Sequence, residues 1–108
     1  MSQSMSMDEY QNRAISTAVY PVGRELEYLI PSLMVEAAEV ADPYVKAIRA
    51  NAPVPYEHML DELGDVLWNV AALAHECGVS LAEVAVHNLN KLQKRREQGT
   101  LDTTERHE

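Results

Sequence analysis

The chain has 108 residues, enough for one modest domain and too few for two, and its 17 acidic against 9 basic residues give a formal net charge of -8. That balance speaks against a nucleic-acid polymer as the main partner, because polymer binding draws its affinity from Lys and Arg set against phosphates; a small anionic ligand stays open if a cation mediates. The single cysteine, Cys77, excludes an internal disulfide framework and a Cys-rich zinc site, and the polar start MSQSMSMDEY with no apolar run of ~18 residues points to a cytoplasmic protein without leader or membrane span.

Strand signals are almost absent, with no alternating β-branched run and no Asn-Gly or Asp-Gly turn, so an all-α fold is expected: a four-helix bundle over residues 8–101, with loose termini at 1–7 and 102–108. Tyr10, Ala14 and Ala18 mark one face of a first helix from about Asp8 to Ala18, which Tyr20-Pro21-Val22-Gly23 ends. Arg24 to Ile30 reads as a short turn with some helical character. Beyond Pro31, with Ser32 available as a cap, Leu33, Ala37, Val40 and Ala41 form the stripe of a second helix reaching about Ala50. Pro43 falls inside it, predicting a kink or a restart with Asp42 as cap. After an Asn51 to Pro55 loop, Leu60, Leu63, Leu67, Val70 and Ala74 define the longest helix, ending near Cys77 with Gly78 as its stop. Ser80 with Glu83 has the capping-box pattern that opens a fourth helix running to about Arg96. Four helices of this size enclose little interior, so a second copy is expected to cover the leftover apolar faces.

Two carboxylate couples stand out: Glu36-x-x-Glu39 on the second helix and Glu62-x-x-Asp65 on the third. Residues three apart are neighbours on a helix surface, so each couple presents adjacent acids. In both helices the main apolar arc lies beside the acids, and packing those arcs in an antiparallel hairpin brings four acids to one space. Like charges so placed raise one another's pKa unless neutralised, which makes physical sense chiefly around a divalent cation; hard oxygen ligands select Mg²⁺ or Mn²⁺. The plainer reading is solvated surface, since acidic helices place Glu at this spacing by chance.

On the fourth helix Asn88, Lys91 and Arg95 share a stripe that can donate to phosphates. On spacing alone, a basic C-terminus complementing the helix dipole is the favoured reading. His58, Asn69 and Glu76 share the acid stripe of the third helix; His58 reads as a partly exposed helix start and Glu76 as solvated. Trp68 reads as a packing residue and Cys77 as a small buried one. His75 and His87 have no partner at a zinc spacing with Cys.

The couples, separated by a 22-residue gap, resemble the E-x-x-E…E-x-x-D metal signature of MazG-like all-α nucleoside triphosphate pyrophosphohydrolases. Glu62-Leu63-Gly64-Asp65-Val66-Leu67-Trp68 is similar to that family's ELGDxLW stretch, and Asn88 to Arg95, leading to Gly99, resembles its NxxKLxxR…G segment. Tyr10…Ala14…Thr17-Ala18…Tyr20 is similar to the start of small stand-alone members. The resemblance spans roughly Tyr10 to Leu101.

It implies hydrolysis of a nucleoside triphosphate between the α and β phosphates, in a homodimer or a tetramer of dimers. It further implies Mg²⁺, with Mn²⁺ as substitute, on Glu36, Glu39, Glu62 and Asp65 as the catalytic and metal-binding set, and substrate phosphates on Lys46, Asn88, Lys91 and Arg95. The chain departs from the pattern at Val35, where Gly is frequent, at Asn69, where an aromatic follows the Trp, at Pro43, and in a tail without the GDxR ending. The base pocket is expected to differ accordingly. Rival readings are a narrow-substrate relative acting on dUTP or phosphoribosyl-ATP, and a helical interaction module that keeps the fold without turnover.

Overall fold

The computed structural model describes residues 4–99, which form four α-helices and no strand. The first, α1, spans Met7–Ile15 and starts one residue earlier than expected, because the Ser6 hydroxyl accepts the Glu9 amide at 3.0 Å and caps it. It also stops short of Ala18. The Ser16 and Thr17 hydroxyls donate to the Arg13 and Ala14 carbonyls at 2.6 and 2.7 Å, and such local bonds compete with the helical ladder. The expected loose residues at 1–3 and 102–108 lie outside the described residues.

The second helix, α2 (Glu25–Arg49), absorbs the segment read as a turn and carries both Pro31 and Pro43 inside it. Its start is set by charge, not by Ser32: the Glu25 carboxylate accepts the Gly23 amide at 2.8 Å, which holds that acid below its usual range, and Glu27 adds a second charge to the positive helix end. Each proline removes one amide donor, so the carbonyls of Glu27 and Glu39 lose their usual helical partners. The helix continues through both, without the restart expected at Asp42. It closes on Asn51 at φ 53°, with the Ala52 amide reaching the Ala47 carbonyl at 2.8 Å.

Helix α3 (Glu57–Glu76) closes in the same way on Gly78 at φ 78°, where the Val79 amide bonds the Ala74 carbonyl at 2.9 Å. An L side chain is strained at that φ, so glycine serves as the stop. Helix α4 (Leu81–Glu97) opens with the full Ser80–Glu83 capping box.

The order of packing explains where the core sits. α2 and α3 form an antiparallel hairpin, α1 lies on α3, and α4 docks on α1 and α3 without touching α2. Buried apolar residues concentrate where α1, α3 and the start of α4 meet: Ala14, Ala71, Ala72, Ala74 and Leu81, with Leu29 and Ala47 from α2. Gln11 locks this junction. Its amide donates to the Ala71 and Val79 carbonyls at 3.0 and 3.3 Å, and its carbonyl accepts the Leu81 amide at 2.9 Å. Cys77, expected to be buried, is exposed on the turn after α3.

The single chain is open. Its radius of gyration is 16.9 Å, against about 13 Å for a compact domain of this length. Met34, Ile48, Leu60 and Leu89 are all more than 60% exposed, so a large apolar surface on α2, α3 and α4 is uncovered. Among the described residues, no helix is long and apolar enough to cross a membrane.

Candidate functional site

The α2–α3 hairpin brings Glu36, Glu62 and Asp65 together: one carboxylate oxygen from each lies within 4.8 Å of the other two. Packing of α2 on α3 produces this register, with Glu36 and Glu62 half-buried, whereas Leu60, Leu63 and Leu67 of the stripe expected to face α2 stay exposed. Glu39 stands outside the group of three and is exposed, yet close enough that its charge acts on Glu62. Its charge weighs on Glu62 more than that of Glu36 does.

Glu62 records the crowding. Its carboxyl is pushed above the usual range, first by desolvation and then by the charges of Asp65, Glu39, Glu36 and Asp61. Three hard oxygen donors at this spacing suit a divalent cation such as Mg²⁺, which takes a few carboxylates and completes its shell with water or phosphate. The donor set therefore fits the metal that the acid couples imply.

A cleft opens on each side of the acids. On one side, Glu36 and Asp65 border a cavity of about 310 Å³ lined also by Thr17, Tyr20, Tyr28, Trp68 and Asn69. It continues into a more apolar cleft of about 470 Å³ between Pro21, Tyr28, Pro31 and Val35. The rings hold one another: Tyr20 stacks on Tyr28 at 6.3 Å and meets Trp68 edge-on at 6.2 Å. The Trp68 indole N–H donates to the Ala14 carbonyl and the Thr17 hydroxyl at 3.1 and 3.0 Å, which fixes the ring against α1. The Tyr20 hydroxyl donates to Glu76, so Glu76 is half-buried and bonded, not solvated. Burial first, and then this bond, push the Tyr20 phenol up to about 12.

On the other side, Glu39 and Glu62 border a cleft of about 470 Å³ that contains Asp42, Lys46 and His58. Lys46 pairs with Asp42 at 2.9 Å, and this bond, helped by the Asp42 and Glu39 charges, raises its pKa. Asn88 and Lys91 are exposed and Arg95 half-buried on α4, which does not reach α2. The fold thus brings Lys46 to the acids' cleft, while Asn88, Lys91 and Arg95 lie on a helix that packs on α1 and α3.

Sequence reasoning missed the aromatic wall. Tyr20 reads as part of a helix stop and of the family-like start, and Tyr28 as part of a turn; a one-dimensional pattern shows nothing that would bring them to Trp68. Asn69 reads as part of the acid stripe, and its place in the cavity wall beside Trp68 appears only in three dimensions.

The family model for the MazG nucleotide pyrophosphohydrolase domain matches residues 24–100. The chain is also 38% identical over 107 residues to the "Gene 37 protein" of Mycobacterium phage L5, a match covering 90% of this chain and 94% of the phage protein. No solved structure matches the chain.

Proposed function

This chain belongs to the MazG nucleotide pyrophosphohydrolase family, and from that premise we propose that it hydrolyses (deoxy)nucleoside triphosphates between the α and β phosphates, giving a nucleoside monophosphate and pyrophosphate. The observation that carries this reading is the convergence of Glu36, Glu62 and Asp65 between two clefts of different chemistry.

Glu36, Glu62 and Asp65 would hold Mg²⁺, or Mn²⁺ in its place, with Glu39 at the rim. When bound, the ion neutralises phosphate oxygens and makes water a stronger nucleophile at neutral pH. Glu36 and Asp65 face the aromatic cleft while Glu39 and Glu62 face Lys46, so a substrate laid across the acids sets its nucleoside on the first side and its outer phosphates on the second. Lys46 is free to exchange Asp42 for a phosphate oxygen, because that ion pair is largely solvated and worth little. We assign Asn88, Lys91 and Arg95 to phosphate binding in an assembled dimer or tetramer, in which one copy's α4 approaches another copy's site. The uncovered apolar surface favours such an assembly.

The test is a panel of ribo- and deoxynucleoside triphosphates with Mg²⁺ and with Mn²⁺, reading pyrophosphate against orthophosphate. Pyrophosphate with an equal amount of monophosphate is expected. Orthophosphate release, or metal binding without any release, would overturn the reading.

A further inference from the structure

Asn69 is 4% exposed, lines the aromatic cavity, and carries an acceptor that none of the described residues satisfies: its Oδ1 is buried without a hydrogen-bond partner among them. Its amide cannot simply be turned around. Nδ2 donates to the Asp65 carbonyl at 2.8 Å, and a flipped amide would set two oxygens face to face. A buried acceptor left unpaired is costly, and Asn is a poor residue for a helix interior, so an apolar side chain of similar size would serve the packing better. The position lies four residues, about 6 Å along the axis, beyond Asp65. That is the aromatic side of the acids, where the nucleoside is proposed to lie.

We infer that Asn69 is a specificity-determining residue, its Oδ1 accepting a hydrogen bond from a donor on the nucleoside, a sugar hydroxyl or a base N–H, within the cavity walled by Tyr20, Tyr28 and Trp68. The inference rests on the nucleotide reading of this site. Neighbouring rings supply area without direction, whereas one fixed acceptor supplies direction. Because Oδ1 is closed off from water, a donor meets it through a small displacement of the Asn69 side chain toward the cavity. The hydrogen bond formed there replaces none that the free protein makes. A site that has such an unpaired group discriminates against ligands lacking the donor more strongly than an apolar wall can.

The experiment uses the full chain and measures calorimetric binding of non-hydrolysable α,β-methylene triphosphates with Mg²⁺, alongside pyrophosphate release from the natural nucleotides. Sugar arms compare ribose, 2′-deoxy and 3′-deoxy forms; base arms compare the four bases. The wild type is expected to lose about tenfold in affinity when one particular donor is removed, the loss of one good hydrogen bond. Asn69→Leu, which keeps the branched four-atom shape and removes the acceptor, is expected to abolish that discrimination while unfolding at the same temperature or higher. Asn69→Ala repeats the comparison should the leucine not fold. Discrimination that survives both variants, or a wild type indifferent to every donor, would overturn the assignment. Full discrimination in binding without pyrophosphate release would instead refute the hydrolytic reading and leave Asn69 in place.

Discussion

The two halves of α3 differ. From Asn69 to Ala74 it buries four residues, is pinned to α1 and α4 by Gln11, and forms the junction on which the chain folds. From Glu57 to Trp68 it buries none, exposing Leu60, Leu63 and Leu67 on one side while Glu62 and Asp65 turn toward Glu36. One helix thus supplies the core at one end and the chemistry at the other. Among the described residues, the open end leaves its leucines uncovered and holds the Glu62 carboxyl above its usual range.

Substitutions in the two halves should therefore fail in different ways. Glu62→Gln is expected to cut kcat/KM by more than the ~10–100-fold typical of a group that only supports a metal ligand, with helical circular dichroism unchanged and apo stability equal or higher, since like-charge crowding is relieved. Retained turnover would remove Glu62 from the ligand set. Gln11→Ala acts at the other end. It strips the Leu81 amide of its partner along with two carbonyl contacts and should cost about 2–3 kcal/mol in urea unfolding, leaving the kcat of the folded fraction close to wild type.

Assembly sharpens the contrast further. Leu60 is 79% exposed in the single chain. If a second copy covers the open half, Leu60→Glu should weaken association at least about tenfold, as expected when one leucine is not buried. Analytical ultracentrifugation would show this as a shift toward the monomer. An unchanged sedimentation profile would place the interface elsewhere.

The smallest effect belongs to the tie between the core end and the aromatic wall. Tyr20→Phe removes the bond to Glu76 and should cost under about 1 kcal/mol, because both groups are partly solvated. The sign with pH follows from the raised phenol: its contribution is fully present below the ordinary tyrosine value of 10.0 and is lost as pH rises through about 12. The difference between wild type and Tyr20→Phe should shrink over that interval in alkaline denaturation. A difference that persists above it would mean the bond is not what holds Tyr20.

Much of this division could be read in the residues themselves. Leucines at helical spacing, Gly78 and the Ser80–Glu83 box give α3 and α4 almost to the residue, because periodicity and capping are local properties. Each couple could be read as adjacent acids from its spacing, but the arc of Leu60, Leu63 and Leu67 expected to meet α2 stays exposed, so periodicity did not determine which faces meet. What escaped depends on balance or on distance. Pro31 and Pro43 are usual helix breakers, yet α2 runs through both. Which three of the four acids lie within 4.8 Å of one another is a matter of side-chain placement that spacing alone does not resolve. The Asn88, Lys91 and Arg95 stripe cannot be assigned to a site from one chain, because the helix carrying it does not reach α2.

The central claim is that Glu36, Glu62 and Asp65 form one cation site. Calorimetric titration of Mn²⁺ into the full chain at neutral pH, with an α,β-methylene nucleotide present, tests it most directly. Saturable binding in the wild type that is lost in Glu62→Gln is the predicted result. Binding of equal strength in both proteins, or none in either, would contradict the account.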